Sequence, residues 1–166
     1  MPWGGLALAV VLAYLVQASV AWLLGPSRFD PFLVLTLGVA LLRPTHDARI
    51  SGWLIGLAQD LGSANPLGVH AFTLGLTALF VTQLRRGLNA NVWWSRGLIL
   101  LASAWVAQVV LRVFLRLRLG NEEPVFSLLW QASVVACIAT GLVMAFLTLP
   151  WVAAWRRRMR RTEGAY

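Results

Sequence analysis

Six apolar runs, separated by short polar segments, divide the sequence. They cover residues 3–24, 31–42, 50–61, 67–84, 93–119 and 125–155. About 20 apolar residues are needed for a helix to cross the hydrocarbon core of a bilayer, and four of the runs are near or above that length. The pattern therefore predicts an all-α integral membrane protein with six transmembrane helices. These form a single domain over residues 1–155, followed by a short tail over residues 156–166.

The second and third runs are too short to cross a bilayer without help. Twelve helical residues span about 18 Å, against a hydrocarbon core of about 30 Å. Between them lies a polar connection that contains Arg43, Pro44, His46, Asp47 and Arg49. A re-entrant hairpin would bury this connection near the middle of the bilayer, at several kcal/mol per charge. We therefore favour two short crossings over the hairpin; either arrangement leaves the later topology unchanged.

Composition supports the membrane interpretation and removes several function classes. The chain is 59% hydrophobic and 12% charged, with a net charge of +8. A soluble domain is about a quarter charged, so this balance argues against a soluble enzyme or a disordered tail. A disulfide scaffold is also excluded, because Cys137 is the one cysteine. All fourteen basic residues are arginines that fall between apolar runs, which points to membrane topology rather than nucleic-acid binding.

The distribution of arginine predicts the orientation. With six crossings, the connections at 43–49 and 85–96 share a side with the C-terminal tail. That side holds ten arginines: Arg43, Arg49, Arg85, Arg86, Arg96, Arg156, Arg157, Arg158, Arg160 and Arg161. The opposite side has only Arg28, Arg116 and Arg118, with Arg112 a turn deeper. Because basic residues accumulate on the cytoplasmic side, we expect both termini to be cytoplasmic. The five tail arginines would fix this topology and contact anionic lipids.

Two glycines on the third helix could bring another helix close. Gly52 and Gly56 are four residues apart, the spacing of small residues that lets helix backbones approach in a membrane. The spacing is common in apolar helices, so packing within the chain is favoured over contact with another protein.

Asp60 is the most informative single residue, because a carboxylate on an apolar helix is costly and is often functional. We hypothesise an ion pair with Arg112 or Arg116, which share one face of the fifth helix with Gln108. The alternative is a buried pair or a hydrogen bond to the loop at 63–65. Further residues are expected to shape the outer loop and an adjoining cavity with Asp60: Pro66, Gly68 and His70.

No constellation of residues suggests catalysis or a cofactor. Asp60 lacks a second membrane carboxylate, and the two histidines, His46 and His70, are predicted on opposite sides of the membrane. The sequence has no Gly-x-Ser-x-Gly motif, phosphate-binding loop or dinucleotide fingerprint. The prediction is a protein that is not an enzyme and holds no metal or cofactor.

Three segments together resemble a known family. They are Asp-Pro-Phe-Leu-Val-Leu at 30–35, Gly-Trp-Leu-Ile-Gly-Leu-Ala-Gln-Asp at 52–60 and Asn-Pro-Leu-Gly-Val-His-Ala at 65–71. This pattern resembles MreD, the rod shape-determining membrane proteins, which usually have Pro-Asp or Pro-Asn where this chain has Asp30-Pro31. The resemblance implies a bacterial inner-membrane scaffold of cell elongation. Its implied partner is the single-spanning protein MreC and, through it, the RodA glycosyltransferase, a penicillin-binding transpeptidase and MreB filaments.

Two function hypotheses follow. In the first, the protein is a scaffold whose Gly52 and Gly56 pack against the transmembrane helix of an MreC-like partner, so that Gly56→Leu weakens co-purification without preventing insertion. In the second, it is a solute-binding transport subunit, because the family is similar in architecture to the substrate-binding subunits of energy-coupling-factor vitamin transporters. A polar outer cavity lined by the residues around Asp60 would favour the second. The sequence leaves the oligomeric state and the partner-facing helices open.

Overall fold

The computed structural model describes residues 3–24, 30–63, 67–87, 93–119 and 124–148. Within these ranges the chain forms six α-helices and no strand. They are α1 (Trp3–Leu24), α2 (Pro31–Leu42), α3 (Thr45–Leu61), α4 (Val69–Gly87), α5 (Trp93–Leu119) and α6 (Val125–Thr148). The predicted all-α class is confirmed. The predicted tail at 156–166 lies outside the described residues.

The helices differ in how readily each would cross a membrane. Three have the length and apolar composition for it: Trp3–Val20 within α1, Trp93–Leu117 within α5, and α6 itself. Helix α2 is apolar but spans only about 18 Å, as predicted. Helix α3 has 17 residues, because it begins at Thr45 and takes in most of the polar connection. It is therefore about 25 Å long rather than the 18 Å expected from its apolar run.

Helix α2 lies at the centre of the bundle and packs against every other helix. Its side chains Phe32, Leu33 and Leu37 are fully buried. The most extensive helix pair is α3 with α4, followed by α5 with α6. Helix α1 is the least enclosed, since only 11% of its apolar span is buried. It packs against α2 and α3, which leaves most of its apolar surface facing outward.

Capping explains where two of the helices begin. Asp30 precedes Pro31, and its carboxylate accepts hydrogen bonds from the Phe32 and Leu33 amides at 3.0 and 3.2 Å. An aspartate cap followed by proline at the first helical position is a favourable helix start. Helix α4 instead follows Gly68, whose φ of +97° suits glycine, and its cap comes from another helix.

Candidate functional site

The carboxylate of Asp60, at the C-terminal end of α3, caps the N-terminus of α4. Its Oδ2 accepts hydrogen bonds from the amides of Gly68 and Ala71, at 2.9 and 3.0 Å. Its Oδ1 accepts from the amide of His70 at 3.0 Å. Only 2% of the Asp60 surface is exposed. A carboxylate suits this place, because the first amides of a helix have no partner within the helix and carry the positive end of its dipole.

His70 completes the surroundings of Asp60. Its Nδ1 lies 2.9 Å from Asp60 Oδ1, and its side chain is 8% exposed. An ionised carboxylate can only accept, so Nδ1 carries a proton and donates it to this bond. Thr73, one turn further along α4, donates through its hydroxyl to the His70 carbonyl at 3.2 Å. Asp60 and His70 therefore join the end of α3 to the start of α4.

The predicted ion pair between Asp60 and an arginine of α5 is wrong. The Asp60 acceptors are taken by α4, and α3 does not pack against α5 in the described part of the bundle. Arg112 Nη1 instead donates to Gln131 Oε1 on α6 at 2.6 Å. Like Arg112, Gln108 and Arg116 belong to α5. The physical reason is that three amides at the positive end of the α4 dipole satisfy the carboxylate acceptors without a guanidinium.

The residues predicted to line one cavity accordingly separate into two groups. Hydrogen bonds join Asp60, Gly68 and His70, whereas Gln108, Arg112 and Arg116 belong to α5, from which Arg112 donates to Gln131 of α6. Pro66 and the five tail arginines lie outside the described residues. The shared polar cavity that the solute-binding hypothesis requires stays a prediction.

Asp30 and Gln59 extend the polar contacts around Asp60, and the sequence argument missed this role of Asp30. Gln59 Nε2 donates to Asp30 Oδ1 at 3.3 Å, which links the start of α2 to the end of α3. Burial raises the pKa of the Asp30 carboxyl, although the Leu33 amide and the nearby His70 act in the opposite direction. The aspartate before a proline was the available sequence signal for a helix cap.

The small-residue face of α3 is covered by α4. A Cβ atom placed on Gly52 would lie 2.5 Å from the Cβ of Ala78, and one on Gly56 would lie 2.5 Å from the Cα of Ala71. The fit is reciprocal, because a Cβ on Gly75 of α4 would lie 2.5 Å from the Trp53 ring. This face therefore packs within the chain, which is the alternative favoured from the sequence. A partner helix would have to pack elsewhere.

A comparison with family models identifies the chain. The model described as rod shape-determining protein MreD matches residues 2–155. The chain belongs to the MreD family. A curated relative, the rod shape-determining protein MreD of Haemophilus influenzae, is 30% identical over 155 residues. That alignment covers 91% of this chain and 87% of the relative. No solved structure matches the chain.

Membership of the MreD family confirms the resemblance and supports a role in cell shape. It also gives the quoted segments a physical meaning in this chain. The glycines at 52 and 56 admit α4, and the aspartate at 60 binds the amides that follow Gly68. In this MreD-family protein, the two segments on which the resemblance chiefly rests therefore build the contact between α3 and α4.

A surface that the sequence argument missed lies between α5 and α6. It is an open apolar groove of about 340 Å³ lined by Leu98, Leu101, Ala102, Trp105, Ser133 and Cys137. Trp105 Nε1 donates to Ser133 Oγ at 3.1 Å across it. Cys137, Gly141 and Ala145 continue from Ser133 at intervals of four residues, and all three are exposed. This spacing, readable in the sequence, is the available signal for the groove.

Proposed function

We propose that this chain is a multi-pass scaffold of the bacterial inner membrane that acts in cell elongation. Family membership supports the role in cell shape, and the three long apolar helices support membrane insertion. Helices α2, α3 and α4 complete six crossings. Because α2 and α3 span about 18 and 25 Å, they need the local bilayer thinning that short helices impose.

In the proposed orientation both termini are cytoplasmic. The contacts among helix ends support it, because arginines of separate segments meet at one end of the bundle. Arg85 donates to the carbonyls of Ala40 and Arg43, and Arg86 donates to Thr45. A membrane-impermeant thiol reagent tests this orientation on a variant that carries both Cys137→Ala and His46→Cys. Labelling should require access from the cytoplasm, and labelling of intact spheroplasts from outside would reverse the proposed orientation.

We further propose that the groove between α5 and α6 receives the transmembrane helix of an MreC-like partner. The observation that carries this proposal is the exposed series of small residues on α6 beside the apolar groove. Small residues let two helix backbones approach closely, which is how helices associate where lipid surrounds them. Through this partner the scaffold would connect to RodA, a penicillin-binding transpeptidase and MreB.

Gly141→Leu tests the proposed docking face. A Cβ on Gly141 meets nothing within 4 Å, so the isolated chain should fold normally while the larger side chain keeps the partner helix away. Gly5→Leu is a matched control, because Gly5 is also an exposed helical glycine with open space around it, but on α1.

Both variants are co-expressed with an MreC-like protein and purified in mild detergent. We expect Gly141→Leu to lose most of the co-purifying partner and Gly5→Leu to retain it. Equal recovery with the two variants would exclude the α5–α6 groove as the docking face. Mass spectrometry of the same preparations detects bound small molecules, and a stoichiometric solute would favour the transport-subunit alternative.

A further inference from the structure

Five arginines gather around the connection between α2 and α3, at the end of the bundle where α4 ends and α5 begins. We call them the arginine corner: Arg43, Arg49, Arg85, Arg86 and Arg96. Three contacts define the place of the corner. Arg85 Nη1 donates to the carbonyls of Ala40 and Arg43, at 2.7 and 3.0 Å. Arg86 Nη2 donates to Thr45 Oγ1 at 3.2 Å, and Arg49 Nε donates to Thr82 Oγ1 at 3.1 Å.

Four of the corner arginines, at 43, 49, 85 and 86, have no carboxylate partner within the described part of the chain. Arg96 lies close enough to Arg85 for the two guanidinium groups to repel each other. Asp47, in the first turn of α3, is the nearby acidic residue along the chain, and its Oδ1 lies 3.8 Å from the His46 Nδ1. Within the described ranges, no carboxylate forms an ion pair with the guanidinium groups of residues 43, 49, 85 and 86.

Two guanidinium nitrogens of the corner are buried without an acceptor. They are Nη1 of Arg43 and Nη2 of Arg49. Burying a charged donor without a partner is strongly unfavourable, so such a group calls for an acceptor such as water, an ion or a ligand. The amides that begin α3 lie at the same connection, and Pro44 at the cap position provides no side-chain acceptor for them. The corner therefore offers two unpaired guanidinium donors, on Arg43 and Arg49, beside a helix N-terminus that has no side-chain cap.

We propose that the arginine corner binds a phosphate-bearing anion, supplied by the headgroup of an anionic phospholipid. The planar guanidinium group matches the geometry of phosphate oxygens and can bind them in pairs. The apolar helix α2 ends at the corner, so the site would lie at the level of the headgroups if α2 enters the bilayer as proposed. The phosphate chemistry follows from the arginines alone; only the lipid source rests on that membrane placement.

The test compares melting of the purified protein in detergent micelles with added phosphatidylglycerol, phosphatidylcholine or inorganic phosphate. Tryptophan fluorescence reports unfolding, since the chain has nine tryptophans. We expect phosphatidylglycerol to raise the melting temperature and phosphatidylcholine to leave it unchanged. The double variant Arg43→Gln and Arg49→Gln should bind phosphatidylglycerol about tenfold more weakly or worse. Arg43→Gln alone provides a second measurement, because it leaves the Arg49–Thr82 contact in place.

A charge-matched control separates a defined site from general attraction to anionic surfaces. Arg160→Gln with Arg161→Gln removes the same formal charge from the C-terminal tail and leaves the corner arginines unchanged. This control should keep the wild-type response. Stabilisation by inorganic phosphate alone would support the site but make a soluble anion its ligand. No response to either anion, or an equal response in the wild type and in both corner variants, would overturn the proposal.

Discussion

Asp60→Asn is the sharpest test of the α3–α4 junction, the contact in which Asp60 and His70 join the end of α3 to the start of α4. Asparagine has nearly the same shape, but it keeps one oxygen and presents an NH₂ group in place of the other. Each carboxylate oxygen of Asp60 now accepts two hydrogen bonds, one pair from Gly68 and Ala71 and the other from the two nitrogens of His70. If the new NH₂ group faces Gly68 and Ala71, two buried N–H groups lose their acceptor and face a donor. If it faces His70, the His70 amide loses its acceptor, whereas the neutral imidazole can change tautomer and accept at Nδ1.

The size of the effect follows from the one or two lost bonds. A buried donor without a partner costs about 1–3 kcal/mol, so the free energy of unfolding should fall by roughly 1–6 kcal/mol. Total stabilities of about 5–15 kcal/mol are typical, so the variant should be clearly weakened although the number of heavy atoms in the core stays the same. The measurement is unfolding by sodium dodecyl sulfate in mixed micelles, followed by tryptophan fluorescence. A loss below about 1 kcal/mol would contradict the described capping.

Double-mutant cycles distinguish the observed junction from the ion pair expected from the sequence. Asp60→Asn combined with His70→Ala should be non-additive by about 1 kcal/mol or more, because each variant removes part of the same contact. Asp60→Asn combined with Arg112→Gln should be additive to within about 0.5 kcal/mol, since Arg112 donates to Gln131 on another helix. The reverse result would restore the aspartate–arginine pair and refute the geometry described above.

Three further predictions concern helix packing and capping. Gly56→Ala should lower the free energy of unfolding by about 1–3 kcal/mol, because the new Cβ would lie 2.5 Å from the Ala71 Cα. Gly38→Ala is the control and should leave the free energy of unfolding unchanged, because a Cβ there meets nothing within 4 Å. Equal stabilities of the two variants would contradict the tight α3–α4 packing. Tyr14→Phe removes the hydrogen bond that the Tyr14 hydroxyl of α1 donates to the Ala58 carbonyl of α3. The variant should speed proteolysis of α1 without changing insertion, and an unchanged cleavage rate would show that this bond does not hold α1 in place. Burial raises the pKa of the Asp30 carboxyl in the folded state. The stability that its protonated form provides is therefore present below the unfolded pKa of about 3.9 and is lost as the pH rises through the folded pKa. Asp30→Asn should therefore gain stability relative to the wild type between about pH 4 and pH 7, and a gain toward acid would contradict the sign.

Much of the helix plan follows from the sequence because apolar length is a strong constraint. The bounds of α1, α2 and α5 agree with the apolar runs, since proline, glycine or charged residues end each run. Helix α3 was predicted five residues too short, because its first turns are polar and only their packing reveals them as helical. Arg49 illustrates the difficulty: its charge suggested a loop, but it binds Thr82 of α4 from within the helix.

The candidate site shows what a sequence pattern cannot provide. Asp60, Gly68 and His70 were correctly grouped because they are close in the chain and flank one loop. The arginine partner was wrong because pairing by charge ignores backbone amides, which have no sequence signature apart from a helix start. The glycines of α3 were correctly predicted to allow close packing, but the occupant depends on which helix lies opposite, and that is a property of the whole bundle.

The dependence of α3 on α4 has a consequence for biogenesis. Gln59 and Asp60 are polar, and in a bilayer α3 alone would expose them to lipid until the amides of residues 68–71 arrive. Those amides are synthesised after α3, so a ribosome-bound chain that ends at Leu61 lacks every partner that Asp60 needs. If α3 and α4 cross the membrane as proposed, they should therefore leave the translocon together as a pair. By contrast α1, which relies least on its neighbours, can enter the membrane first and anchor the chain during synthesis.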